Sequence, residues 1–235
     1  MPEKGIVTRF KNKIKFIRAR KDVEKGKNHV EGWDLKTAHS YWSKQANVDE
    51  DNNPSSYANF SGNKIRADYI YQLISGLKLN RDEPILELGT NSGFVLSYIY
   101  EKGYTALSGI EINSEAVNLF KNAFPKAFAE SKIINNNLEN VLPNMQDNTF
   151  SLVYSMGVLM HVHPSSNFIF KHIARISSKY IITMEGETMV TPRHYPRDYK
   201  KIFEGLGFKE IFFEMTAEKI PGYANLHCRV FQKIS

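Results

Sequence analysis

The chain is poor in cysteine. Cys228 is the one thiol in 235 residues, which excludes an internal disulfide and any metal site built from several thiolates, and fits a reducing compartment. No apolar run approaches the length of a membrane span, so no transmembrane segment is expected. The N-terminus is positively charged but lacks the apolar stretch of a secretory signal, so a cytoplasmic location is expected. Internal repeats and low-complexity tracts are lacking too. Excess charge is missing from most of the chain: residues 1–30 hold ten Lys/Arg and three Asp/Glu, whereas the other 205 residues hold 21 and 22. The net charge of +6 therefore belongs to one arm. With 42% apolar and 12% aromatic residues, the chain can bury one sizeable core.

Apolar runs of strand length alternate with helical periodicity. Strands are expected at 84–88, 106–112, 132–135, 150–155, 180–184, 210–215 and 227–232, with helices at 92–101, 115–123, 167–176 and 197–204 between them. This alternation predicts an α/β fold with a doubly wound, mostly parallel seven-stranded sheet. The last two strands have no helix between them and predict a C-terminal antiparallel hairpin. An N-terminal helical extension precedes the sheet. Residues 6–21 carry Phe10, Ile14 and Ile17 at helical spacing among basic residues, and a polar linker follows at 22–32. Residues 33–60 scatter aromatics through polar sequence and read as a lid. Ser61 is placed to cap a helix whose apolar stripe is Ile65, Tyr69, Ile70, Leu73, Ile74 and Leu77. Three parts are expected: a basic arm at 1–30, a lid or cap at 31–80, and a ligand-binding domain at 81–235.

The turn after the first strand reads Glu87-Leu88-Gly89-Thr90-Asn91-Ser92-Gly93. It is not G-x-G-x-x-G, because Asn91 occupies the place of the middle glycine. Glu87 would repel a diphosphate but can orient an ammonium group. The second strand ends at Glu111, 22 residues past Gly89, where a carboxylate can accept from both hydroxyls of a ribose. An adenosine with an amino-acid tail, S-adenosylmethionine (SAM), satisfies both acids.

At these residues the chain resembles the class I SAM-dependent methyltransferases. The resemblance runs from about Tyr41 to the C-terminus and is strongest over 85–164, where Ser155-Met156-Gly157-Val158-Leu159-Met160-His161-Val162-His163-Pro164 is similar to that family's fourth motif. It implies that Gly89 and Gly93 let the backbone approach the methionine part of SAM, with Thr90 and Asn91 in the same turn, while Ile112 flanks the adenine. The family usually places an acid after the third strand. Here Asn137 takes that position, with Leu138 against the ring, and Ser155 and Met156 complete the cofactor set. The chain lacks the Asn/Asp-Pro-Pro-Tyr pattern that serves nitrogen acceptors in the family, and lacks an acid cluster suited to Mg2+. By resemblance this implies a metal-independent O-methylation of a small molecule or glycan.

His161 and His163 are candidate general bases, with a backbone-bonding role as the alternative for His161. Tyr41, Trp42, Tyr57, Glu185, Arg193, His194 and Arg197 are candidate acceptor-binding residues. The arm suits an anionic surface, either a membrane or a polyanion, or else a helix packed on the domain with solvated charges. Two other functions stay open: an RNA or protein methyltransferase that holds its polymer with the arm, and a protein that binds SAM without transferring methyl.

Overall fold

The computed structural model describes residues 3–44, 54, 62–216, 220 and 225–234. Tyr57 and Ser61 lie outside the described residues. Among the described residues, α1 (Glu3–Glu24) and α2 (Leu35–Ser43) precede α3 (Gly62–Gly76), which leads into the sheet. The order is then β1 (Ile85–Leu88), α4 (Phe94–Glu101), β2 (Leu107–Glu111), α5 (Ser114–Ala123), α6 (Pro125–Glu130), β3 (Lys132–Asn135), α7 (Leu138–Val141) and β4 (Phe150–Met156). The chain closes with α8 (Ile169–Ile176), β5 (Ser177–Glu185), α9 (Tyr199–Glu204), β6 (Phe208–Met215) and β7 (His227–Lys233). The expected alternation is present. The short α6, which was not expected, starts on Pro125, a residue already preset for a first helical turn.

The sheet has the order β3-β2-β1-β4-β5-β7-β6. Strands β1 to β5 run parallel, and β7 is antiparallel to both β5 and β6. The C-terminal hairpin thus inserts its second strand between β5 and the edge. Successive residues of each strand point to opposite faces, so the sheet carries two cores. Ile85, Leu107, Leu152 and Ile182 pack with Ile70 and Ile74 of α3 and Leu96 and Ile99 of α4. Leu86, Leu88, Ile110 and Val153 pack on the other face with Ile173 of α8 and Phe203 of α9. Glu87 shares the side of Ile85, so its carboxyl points into the layer of α3 and α4 beyond the last apolar residue. The chain leaves β1 for β2 and β3 on one side and returns to β4 on the other, and this reversal opens a crevice at the carboxyl ends of the strands.

Two apolar stripes differ from expectation. In α3 the buried positions are Asn63, Arg66, Ala67, Ile70 and Ile74, while Ile65 is exposed. In α1 the buried residues are Ala19 and Val23, and Ile14 and Ile17 face outward. Arg20 pairs with Asp198 at 2.9 Å, and Asn167 Nδ2 donates to the Val23 carbonyl at 2.7 Å, so this helix docks by its C-terminal half on the α8–α9 side.

Candidate active site

A cavity opens at the crevice. The strand ends supply Glu87, Gly89, Thr90, Asn91, Glu111, Ile112, Asn137, Leu138, Met156, His161 and His163 to its wall. These eleven were expected from the sequence. The turn after β1 has the geometry that its glycines permit. Gly89 takes φ +73°, and a Cβ there would stand 2.4 Å from Val158 Cγ2. Gly93 has a different task from the one expected: it is the αL residue before α4, and a Cβ would enter the Phe120 ring at 2.1 Å. It serves helix packing and does not line the cavity.

Asn91 adopts φ +47°, a conformation that Asn tolerates better than most residues. This aims its N–H at Glu111 Oε2 at 2.8 Å, while Asn113 N–H donates to Glu111 Oε1 at 2.8 Å. Each oxygen retains a lone pair for a ligand. Burial raises the Glu111 carboxyl above its ordinary range, against the pull of these amides. Glu87 is more exposed to this effect. Burial pushes it up to about 8, the nearby Tyr154 hydroxyl opposes the rise, and the Glu111 charge adds to it. Its Oε2 is buried and has no hydrogen-bond partner among the described residues, as are Thr90 Oγ1 and Ser92 Oγ on the same wall. Orphaned buried polar atoms are costly unless a ligand meets them. Two acids and two hydroxyls beside a glycine bend fit a nucleoside with a cationic amino-acid tail.

Sequence reasoning missed the contribution of α3. Arg66 and Asn63 line the cavity, and Arg66 Nη1 donates to Asn63 Oδ1 at 3.2 Å. The signal was present as a polar first turn on an otherwise apolar buried stripe. Asn137 Oδ1 caps α7 by accepting from Asn140 N–H at 2.8 Å, which leaves its amide donors and one lone pair for a base. Ser155 does not reach the cavity: its hydroxyl donates to Glu185 Oε1 at 2.7 Å.

The other end of the cavity is built from α2 and the loop after β4. Trp42, His39 and Ala38 come from α2, which Asp34 caps by accepting from Thr37 N–H. His39 Nε2 meets Glu139 Oε1 at 3.1 Å and so ties α2 to α7. His161 Nδ1–H donates to the Arg193 carbonyl at 2.8 Å, which leaves a lone pair on Nε2. Its ring lies 4.2 Å from Trp42 and 4.7 Å from His194, and burial together with His194 lowers it to about 3. His163 Nδ1 accepts from Ser165 N–H, so the neutral ring carries its proton on Nε2. That Nε2 is buried without a partner among the described residues. Burial and Arg197 hold His163 below its ordinary value.

Several expected acceptor residues do not line the cavity. Glu185 is fully buried and accepts from Val158 and Met160 N–H, which fixes the loop carrying His161. Arg197 is also buried and donates to the Leu159 and Val162 carbonyls. Arg193 bonds the Tyr41 hydroxyl, and the Tyr41 ring meets Trp33 at a tilt and Trp42 edge to face. His194 bonds Thr191 and accepts from His29 Nε2 through its carbonyl. These residues brace the wall from behind.

Parts of the chain are similar to known proteins. Residues 86–179 match the methyltransferase domain family. Phosphoethanolamine N-methyltransferase of Plasmodium falciparum is 29% identical over 91 residues, covering 39% of this chain and 33% of that protein. The chain thus aligns with about a third of the length of this curated relative. Magnesium protoporphyrin IX methyltransferase of Synechocystis PCC 6803, solved with bound SAM, has TM-score 0.63 at 15% identity over 86% of this chain and 98% of that one. The [4+2]-cyclase SpnF has TM-score 0.59 at 10% identity over 71% of this chain and 80% of that one.

Proposed function

We propose that this chain is a class I SAM-dependent methyltransferase and moves a methyl group from SAM to an oxygen of a small molecule or glycan without a metal. The observation that carries the reading is the pair of buried acids, Glu87 and Glu111, at neighbouring strand ends, with one Glu87 oxygen unmet. When bound, SAM supplies an electrophilic methyl carbon and a neutral thioether leaving group. Glu111 holds the ribose hydroxyls. Glu87 takes the ammonium of the tail, and Arg66 takes its carboxylate. Asn137 donates to the adenine, which Ile112 and Leu138 sandwich.

At the other end His161 offers the lone pair on Nε2 to the acceptor hydroxyl. The Arg193 carbonyl fixes its tautomer, and Trp42 fixes the ring plane. His163 Nε2–H orients the same acceptor as a donor. Residues 31–80 act as the lid, with the His39–Glu139 contact as its tie to the domain. The arm, residues 1–30, attaches the protein to an anionic surface, and a cytoplasmic location suits both.

Calorimetry with SAM, decarboxylated SAM and NAD tests the cofactor assignment, and NAD binding without SAM binding would defeat it. Labelled SAM incubated with cell extract identifies the acceptor. Label on nitrogen, or loss of turnover in EDTA, would defeat the metal-free oxygen assignment. A polymer acceptor is the second reading, supported by the charge of the arm, and it predicts steep loss of activity with salt. A third reading, nucleoside binding without transfer, draws on the fold shared with a cyclase.

A further inference from the structure

The outward face of α1 specifies the kind of surface the arm meets. At 100° per residue, Val23 lies opposite Ile14 on the helix, and Ala19 lies 140° away from it. Val23 and Ala19 are buried against the domain, so Ile14 and Ile17 point away from it, 51% and 43% exposed. Lys13, Lys21, Arg18 and Lys11 surround the two isoleucines on this face, and all four are exposed. None of them forms an ion pair among the described residues, whereas Lys15 and Arg20 on the flanks are paired with Glu31 and Asp198, and Glu24, beside Ile17 at the C-terminal end, is paired with Lys201. No acid occurs between residues 11 and 21.

We propose that α1 lies on an anionic lipid bilayer, with Ile14 and Ile17 in the acyl boundary and Lys11, Lys13, Arg18 and Lys21 on the headgroups. A nucleic acid would use the charges through its phosphates but has no use for two exposed aliphatic side chains. An interfacial helix uses both kinds of side chain, apolar ones in the acyl boundary and basic ones at the headgroups. The ion pairs on the flanks hold the face in place before the membrane is met. This extends the reading of the arm as an anionic-surface element and does not depend on methyl transfer.

The test is cosedimentation of the full chain with phosphatidylcholine vesicles, with and without phosphatidylglycerol, beside a filter assay with single-stranded RNA. Binding is expected only to the vesicles that contain phosphatidylglycerol. It falls at least about tenfold in Ile14→Ser/Ile17→Ser, and also in Lys11→Gln/Lys13→Gln/Arg18→Gln/Lys21→Gln. Affinity for S-adenosylhomocysteine, unchanged in both variants, shows that they are folded. RNA binding that ignores the serine substitutions, without vesicle binding, overturns the lipid assignment and leaves the arm a polyanion element. Binding to neither overturns both.

Discussion

Replacing Glu87 by Gln removes a charge and almost no volume, and the structure sets the size of the effect. In the folded, ligand-free protein Glu87 holds its proton up to about pH 8, against 4.5 for an unburied carboxyl. Between these values the native state binds a proton that the unfolded state has released. Stability therefore falls as pH rises, by about 1.36 kcal/mol per pH unit. From pH 5 to pH 8 the wild type should lose on the order of 4 kcal/mol relative to Glu87→Gln. At roughly 2–4 °C per kcal/mol for a chain of this size, the two melting curves should part by about 10 °C. Glu185 is also raised by burial, but both proteins contain it and its effect cancels in the difference, whereas the Glu111 charge is part of what raises Glu87 and belongs to the effect measured. S-adenosylhomocysteine then reverses the order. Its ammonium stabilises ionised Glu87, so the ligand raises the melting temperature of the wild type at pH 8 far more than that of the variant. Scanning fluorimetry of both proteins across pH, with and without ligand, reads all four curves. Parallel melting temperatures across pH would refute the buried protonated acid. Equal shifts with ligand would refute its contact with the tail.

Four other outcomes are expected. Glu111→Ala should weaken S-adenosylhomocysteine binding by about 1–3 kcal/mol in calorimetry, the scale of lost charged hydrogen bonds. Arg66→Leu should weaken S-adenosylhomocysteine by about tenfold or more and leave methylthioadenosine, which lacks the amino-acid tail, unchanged. His161→Ala should lower turnover roughly a hundredfold while cofactor affinity stays within about twofold, and no acid limb should appear near 6.5 in the pH–rate profile, because burial keeps this ring neutral above about 3. Gly93→Ala should cost about 3 kcal/mol or more in urea unfolding, since it combines strain at φ +74° with a methyl group inside the Phe120 ring.

The cofactor half of the site was legible because it is built locally. Glu87, Gly89 and Asn91 sit within one turn. Glu111 follows after a single helix, and the parallel pairing of β1 with β2 brings the two strand ends together wherever that helix docks. Strand boundaries could be read for the same reason: β3 came out as expected, β1 and β2 are a residue shorter at one or both ends, and β4 to β7 run on where pairing continued past the apolar run. Gly93 shows the limit. The sequence marks a position that tolerates no side chain, but a ligand and the Phe120 ring leave the same mark.

The acceptor half depends on contacts between residues far apart in sequence. His29 reaches the His194 carbonyl across 165 positions, Arg193 reaches Tyr41 across 152, and His39 reaches Glu139 across 100. Polar residues in such a region look alike in sequence whether they face a ligand or the back of its wall. Glu185 and Arg197 were drawn to the site by their charge, yet each spends it on loop backbone, Glu185 on the amides of Val158 and Met160 and Arg197 on the carbonyls of Leu159 and Val162. Together they clamp one short loop from both ends of its hydrogen-bonding capacity, and that loop carries His161 and His163. Their influence on the reaction should therefore pass through the position of these rings. Burial keeps both rings uncharged, helped by His194 at His161 and by the Arg197 charge at His163, at one end of a cavity whose other end carries Glu87 and Glu111.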